Sequence, residues 1–147
     1  MSRIEPNELP PMPLPFMNDD HLREIGLVND VAEALAARGR GDGKALDPVV
    51  AKLALLAVAM REHFLREEAA MRVSGYPGTA AHKAEHDRAL TEMDREARLF
   101  RQAGDAERLA RYLFEVLPTW YRAHVRSMDA AAAQHVARRA DDTLAAP

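Results

Sequence analysis

The sequence predicts an all-α protein, folded as an up-down-up-down antiparallel four-helix bundle with a proline-rich N-terminal arm. Alanine and leucine dominate, and only 5% of the residues are aromatic, which favours helices over strands. Four stretches carry apolar residues at helical spacing, and short turn signals separate them. A chain of 147 residues with 48% hydrophobic content suits one domain with an ordinary core.

The first seventeen residues contain five prolines. Proline fixes φ and lacks an amide donor, so residues 1–17 are predicted to form an extended arm. The first helix is expected to begin near Asn18 or Asp19, both suited to an N-cap or a first turn. It should end near Arg38, before the glycine-rich loop 39–43.

The second and third helices have clear start and stop signals. Asp47 followed by Pro48 predicts the start of the second helix, because proline is tolerated in the first turn. The turn at 75–78 ends it, and the third helix begins at Thr79 and stops at Gly104. The predicted core faces include Leu53, Leu56 and Met60 on the second helix and Ala89, Met93, Ala97 and Phe100 on the third.

The fourth helix is expected to begin at Asp105 and to contain a proline. Its predicted core face comprises Leu109, Leu113, Val116, Trp120, His124, Met128 and Ala131. Pro118 deletes one amide bond and crowds the carbonyl of Phe114, which predicts a kink or break. The bundle domain should span residues 18–136, and the polar tail 137–147 is expected to fray.

Composition excludes several classes of function. The chain has no cysteine, which excludes disulfides, cysteine zinc sites and thiol catalysis. A net charge of -3, with charges of both signs spread along the chain, does not match a nucleic-acid-binding surface. No apolar signal segment and no apolar run of membrane-spanning length are present, so a cytoplasmic protein without a membrane anchor is expected.

Histidines carry the strongest functional signal. Of the six in the chain, five fall on predicted core faces, namely His21, His63, His82, His86 and His124. Burying an imidazole costs free energy unless it is hydrogen-bonded or ligated. Because the five are spread over all four helices, a shared metal site is the simplest common cause. The sixth, His135, is predicted to lie on the surface.

Two carboxylates complete the candidate ligand set. His63 and Glu67, like His82 and His86, are four residues apart and therefore project from one helix face. Asp129 follows His124 by five residues, about 140° around an ideal helix, so it should reach sideways. Seven protein ligands exceed what one zinc or iron ion takes, which predicts two metals. Imidazole suits iron, zinc, copper and nickel alike, so ligand chemistry leaves the element open.

The arrangement His21 … His63-x-x-x-Glu67 … His82-x-x-x-His86 … His124-x-x-x-x-Asp129 resembles the signature of the hemerythrin family, including its single-domain bacterial members. Segments 63–68, 75–77 and 82–86 resemble the family's middle part closely, and Trp120 also fits. The resemblance covers about residues 18–136. The literal match of 82–86 to the inverted zinc-protease motif H-x-x-E-H, with Glu85 as base, is rejected because it leaves the other candidate ligands unexplained.

This resemblance implies an oxo- or hydroxo-bridged pair of iron ions. It assigns the last three histidines of the pattern to one iron, His21 and His63 to the other, and both carboxylates to a bridging role. The second iron would keep an open position, which implies O₂ binding for transport, storage, delivery or sensing. The alternatives are a di-iron peroxidase, a nitric-oxide-handling enzyme or iron storage on the same scaffold, since fold and ligands do not separate these. The protein partner is left open.

Two residues depart from the family pattern. Glu24 and Tyr121 stand where apolar residues usually line the O₂ pocket, and Phe64, Trp120 and Val125 complete the residues expected to line the pocket or contact the ligands. One hypothesis is that Glu24 and Tyr121 make the pocket polar, by hydrogen bonding to a bound peroxide or by placing Glu24 in the open iron position. The alternative is that Glu24 faces solvent and Tyr121 only packs.

Overall fold

The computed structural model describes residues 4–38 and 47–145. Its helices are α1 (Pro15–Arg38), α2 (Pro48–Ser74), α3 (Thr79–Ala103), α4 (Ala106–Arg111), α5 (Leu117–His124) and α6 (Ala130–Ala145). Two π turns, Tyr112–Val116 and Val125–Asp129, join α4, α5 and α6 into one continuous fourth helix. The result is an antiparallel four-helix bundle, which confirms the predicted fold class. The predicted loop 39–43 lies outside the described residues.

The N-terminal arm is tied to the start of α1. The helix begins at Pro15, earlier than expected, so Asn18 lies inside the helix and not at its N-cap. Instead, the Asn18 side chain accepts a hydrogen bond from the Met12 amide at 2.7 Å and donates one to the Met12 carbonyl at 2.9 Å. The arm also contains a short 3-10 turn, Pro6–Glu8, and buries Ile4 against the bundle.

The predicted ends of α2 and α3 are confirmed. Asp47 caps α2 by accepting a hydrogen bond from the Val49 amide at 3.1 Å. Gly75 ends α2 with φ 69° and Gly104 ends α3 with φ 64°. Residues with a Cβ rarely adopt this left-handed conformation, which is why glycine occupies both positions.

The fourth helix differs from the prediction in register. Val116 is 38% exposed and Ala131 is also exposed, whereas Leu117 and Val125 are buried. Each π turn takes one residue more than an α turn, so the buried face moves along the sequence by one position. Pro118 follows the first π turn without a break, since the dihedral angles on its N-terminal side remain helical. Beyond Val136, α6 continues to Ala145.

Two apolar clusters enclose the buried histidines. The larger one fills the bundle and includes Phe64. The smaller one joins the arm to the fourth helix and includes Ile4, Tyr121 and Val125. Residues of both clusters contact the histidines, so the polar groups lie in a water-poor interior where electrostatic interactions are strong. None of the helices within residues 4–38 and 47–145 combines the length and the hydropathy that a membrane span requires.

Candidate metal centre

All seven predicted ligands converge in the middle of the bundle, and none is more than 4% exposed. They form two groups in which one nitrogen or oxygen atom of each residue lies within 4.8 Å of the others. The larger group is Glu67, His82, His86, His124 and Asp129, and the smaller is His21, His63, Glu67 and Asp129. Both groups contain the same two carboxylates, so the structure has two adjacent sets of potential metal ligands with Glu67 and Asp129 in common.

Helix geometry explains how these side chains meet. The four-residue spacing on α2 and α3 places each pair on one helix face, as expected. On the fourth helix the π turn Val125–Asp129 closes the five-residue interval. In such a turn residues five apart are aligned, and His124 Nε2 lies 2.9 Å from Oδ1 of Asp129. Asp129 therefore does not reach sideways: the backbone itself brings it under His124.

The buried polar atoms fit a metal ion. The Nε2 atom of His124 lies 3.1 Å from that of His82 and 3.2 Å from that of His86. Three imidazole nitrogens turned toward one point cannot satisfy one another, because each can only donate or accept one proton. Oε2 of Glu67 is also buried, and it has no hydrogen-bond partner. A cation would accept a lone pair from each of these atoms.

The charges of the cluster favour a dication. Burial alone would lower the pKa of His82, but the Asp129 and Glu67 carboxylates outweigh it and raise that pKa to about 9. Burial would raise the pKa of Asp129, yet hydrogen bonds from the surrounding histidines, His124 foremost, hold it well below its ordinary value. Burial and the nearby Asp129 would raise the pKa of Glu67 as well, but contacts with His63, His82 and His86 lower it. The cluster therefore carries two acidic charges, and a dication would compete with protons for the imidazole nitrogens.

Aromatic rings support two of the ligands. The Phe64 ring stacks on His86 with centroids 3.8 Å apart and an interplanar angle of 2°. The half-buried Trp120 stacks on His124 at 4.6 Å and donates from its indole nitrogen to Glu85 at 3.1 Å. These contacts restrict the rotation of both imidazoles, and the apolar faces limit the access of water.

Sequence reasoning missed a buried carboxylate that contacts one of the candidate ligands. Oε1 of Glu68 lies 3.1 Å from Nδ1 of His86, on the side of the ring away from the cluster. The available signal was positional: Phe64, Glu68 and Met71 follow the spacing of a helix face, and all three are buried. A charged residue on that face required a partner.

The structure contradicts the alternative in which Glu24 faces solvent and Tyr121 only packs, whereas a contact of this pair with a bound ligand stays a prediction. Glu24 is 2% exposed, so it does not face solvent. Its Oε1 lies 2.6 Å from Nδ1 of His63, and its Oε2 accepts a hydrogen bond from the Tyr121 hydroxyl at 2.5 Å. Neither oxygen belongs to the two ligand groups. A cavity of about 10 Å³ lies against this pair and is otherwise lined by apolar side chains, which is room for roughly one water molecule.

Two further predicted residues have clear placements. Val125 is fully buried beside Tyr121 in the smaller apolar cluster. His135, expected on the surface, is half-buried, and its Nε2 lies 3.1 Å from the carbonyl of Ser74 at the end of α2. The carbonyls of a helix end lack intrahelical partners, and His135 satisfies one of them. It belongs to neither ligand group.

A helical bundle whose facing helices bury histidines and carboxylates defines a metal-binding four-helix-bundle protein. The family model described as "Hemerythrin HHE cation binding domain" matches residues 12–136. The chain therefore belongs to the hemerythrin family, with a buried histidine and carboxylate cluster suited to a di-iron site.

Individual relatives agree with this assignment. The chain is 28% identical over 133 residues to a bacteriohemerythrin of Aquifex aeolicus, covering 90% of this chain and 97% of the relative. It is 33% identical over 124 residues to one of Ralstonia nicotianae, covering 84% and 81%. Among solved structures, a leucine-to-tyrosine variant of a hemerythrin superposes with a TM-score of 0.73 at 24% identity, covering 93% of this chain and 97% of that one. This last likeness concerns the fold.

Proposed function

We propose that the chain holds two iron ions between its helices and binds O₂ at one of them. The observation that carries this proposal is the unequal division of donors. The larger group supplies three histidines and two carboxylates, whereas the smaller supplies two histidines and the same two carboxylates. The position with fewer protein donors has room for an external ligand. Iron suits a mixed set of imidazole and carboxylate donors.

In this proposal each residue has a distinct role. His82, His86 and His124 would hold one ion, His21 and His63 would hold the other, and Glu67 and Asp129 would serve both. The iron pair would supply the electrons that O₂ takes up on binding. The protein fixes the two positions and keeps water out, because Phe64, Tyr121 and Val125 cover the cluster with buried side chains. Relatives named bacteriohemerythrin support the assignment of iron and of a small ligand.

The proposal is tested on protein purified after expression with ample iron. We expect two irons per chain, a visible spectrum that changes on exposure to O₂, and reversal under vacuum. Turnover of hydrogen peroxide without a reversible oxygenated form would instead indicate a peroxidase. More than two irons per chain would indicate iron storage. A preparation that takes up no transition metal would contradict every version of the proposal.

A matched pair of variants tests the ligand assignment. His82→Ala removes a donor from the larger group and should reduce the iron content below two per chain. It should also lower the melting temperature, since binding free energy of the metal is partly folding free energy. His135→Ala removes a histidine that lies outside both groups and should leave the iron content at two. An unchanged content in His82→Ala would show that the assignment is wrong.

A further inference from the structure

We propose that Glu24 and Tyr121 are positioning residues, which hold the His63 ring with Nε2 turned into the site and thereby strengthen cation binding at the four-donor position. This inference rests on the proposed function, because it requires that the smaller group bind a metal. It assigns the two residues a role through His63 rather than a direct contact with O₂ or peroxide.

Glu24 contacts the ring nitrogen of His63 that faces away from the site. Nδ1 of His63 lies 2.6 Å from Glu24, while Nε2 of the same ring lies 2.5 Å from Oε1 of Glu67, which belongs to both ligand groups. The two ring nitrogens therefore point in opposite directions, one at the site and one at Glu24. A carboxylate at Nδ1 favours the proton on that nitrogen, which leaves the Nε2 lone pair for a cation.

Tyr121 determines how firmly Glu24 is held. A phenol has one proton to donate, and the Tyr121 hydroxyl donates it to Oε2 of Glu24. With Oε2 engaged in this way, Oε1 remains to accept the proton of His63. Glu24 and Tyr121 are both at most 4% exposed, so water has little access to either bond. The carboxylate is thus fixed from two sides, by the fourth helix and by α2.

The larger group has a comparable arrangement, which supplies a natural control. Glu68 contacts Nδ1 of His86 in the same way as Glu24 contacts Nδ1 of His63. Each cation position therefore has one imidazole with a carboxylate at its outer nitrogen. Such partners orient the ring and increase its electron donation, and their removal typically costs about 10- to 100-fold in metal affinity. The position with four donors depends more on each of them than the position with five.

The test uses metal-free protein titrated with Co²⁺, followed by the absorption of the bound ion. Wild type should bind two Co²⁺ per chain. His21→Ala removes a donor of the smaller group only, so the Co²⁺ whose binding it weakens is the ion of that group. Glu24→Gln should lower the affinity for that ion by about 10- to 100-fold and change the affinity for the other ion by less than about threefold. Tyr121→Phe should lower the affinity for the same ion by a smaller factor, because Glu24 keeps its hydrogen bond to His63.

Two controls separate positioning from general damage. Glu68→Gln should weaken the other Co²⁺ ion. Tyr112→Phe alters a buried tyrosine of the larger apolar cluster and should change neither affinity. In Zn²⁺-loaded wild type, ¹⁵N NMR should show a slowly exchanging proton on Nδ1 of His63, which provides a readout that does not require any variant to fold.

The outcomes distinguish the two proposals. Unchanged affinities in both Glu24→Gln and Tyr121→Phe would overturn the positioning role, and so would a metal-bound Nδ1 in the NMR spectrum. Wild type that binds neither Co²⁺ nor Zn²⁺ would instead overturn the proposed metal function, and with it the inference. If Glu24→Gln fails to fold, as judged by its helical circular dichroism, Tyr121→Phe and the wild-type NMR spectrum decide the question.

Discussion

The π turn that aligns Asp129 with His124 should tolerate the loss of one residue. Ser127 is exposed within this turn, and its hydroxyl donates to the carbonyl of Ala123 at 2.6 Å. Deletion of Ser127 would return the turn to α-helical spacing. The aspartate would then follow His124 by four residues, about 40° from alignment on an ideal helix. Residues beyond the turn would keep their faces. The expected cost is about 1 kcal/mol or less, the contribution of one hydrogen bond.

A matched deletion in α3 should be far more damaging. Thr91 is also exposed, and its hydroxyl donates to the carbonyl of Asp87, four residues back. In the absence of a π turn in α3, its loss rotates all later residues by about 100° and shifts them by about 1.5 Å. Met93 and Phe100, now at most 3% exposed, would leave the core. Losing two such side chains costs roughly 5 to 10 kcal/mol, comparable with the whole stability of a domain.

Thermal unfolding and bound Co²⁺ measure both deletions. At about 2 to 4 °C per kcal/mol, the Ser127 deletion should lower the melting temperature by about 4 °C or less and keep two Co²⁺ per chain. The Thr91 deletion should lower it by more than about 10 °C or abolish folding. The reasoning is refuted if the Ser127 deletion loses a cation or destabilises the protein as much as the Thr91 deletion.

Three single substitutions give further predictions. Phe64→Ala removes the buried ring that stacks on His86 and should cost about 3 to 5 kcal/mol in urea unfolding; a cost below 1 kcal/mol would contradict the packing argument. Gly75→Ala places a Cβ where φ is 69° and no neighbouring atom lies within 4 Å, so only backbone strain of roughly 1 to 2 kcal/mol should appear. Hydrogen bonds from Arg108 lower the pKa of Glu96 below its usual 4.5. The stability from this pair is therefore present above pH 4.5 and lost as pH falls through the lowered pKa, so the melting temperature of Glu96→Gln should fall less on acidification than that of wild type.

Local signals made α2, α3 and the donor set readable from the sequence. Asp47 and Pro48 begin α2, and Gly75 and Gly104 supply the left-handed residues that end α2 and α3. Each of these signals acts within one helical turn, so it appears in a short stretch of sequence. The histidines were recognisable because five polar rings on core faces have no ordinary structural cause.

The start of α1 and the register of the fourth helix were less readable. Asn18 suits an N-cap, but its bonds to Met12 belong to the folded arm. The periodicity of an ideal helix predicted Val116 on the core face, and a π turn displaced it. One extra residue in a turn leaves composition and mean spacing almost unchanged, so a pattern of period 3.6 does not detect it.

The sequence by itself determined the four helices, most of their ends and the seven candidate ligands, because those depend on residue type and on spacing within single helices. Only the tertiary structure decided which atoms lie behind the ligands. Glu24 contacts His63, which is 39 positions away in the chain, and Tyr121, which is 97 positions away. A contact between distant segments depends on how helices pack and rotate against one another, and no local pattern encodes that rotation.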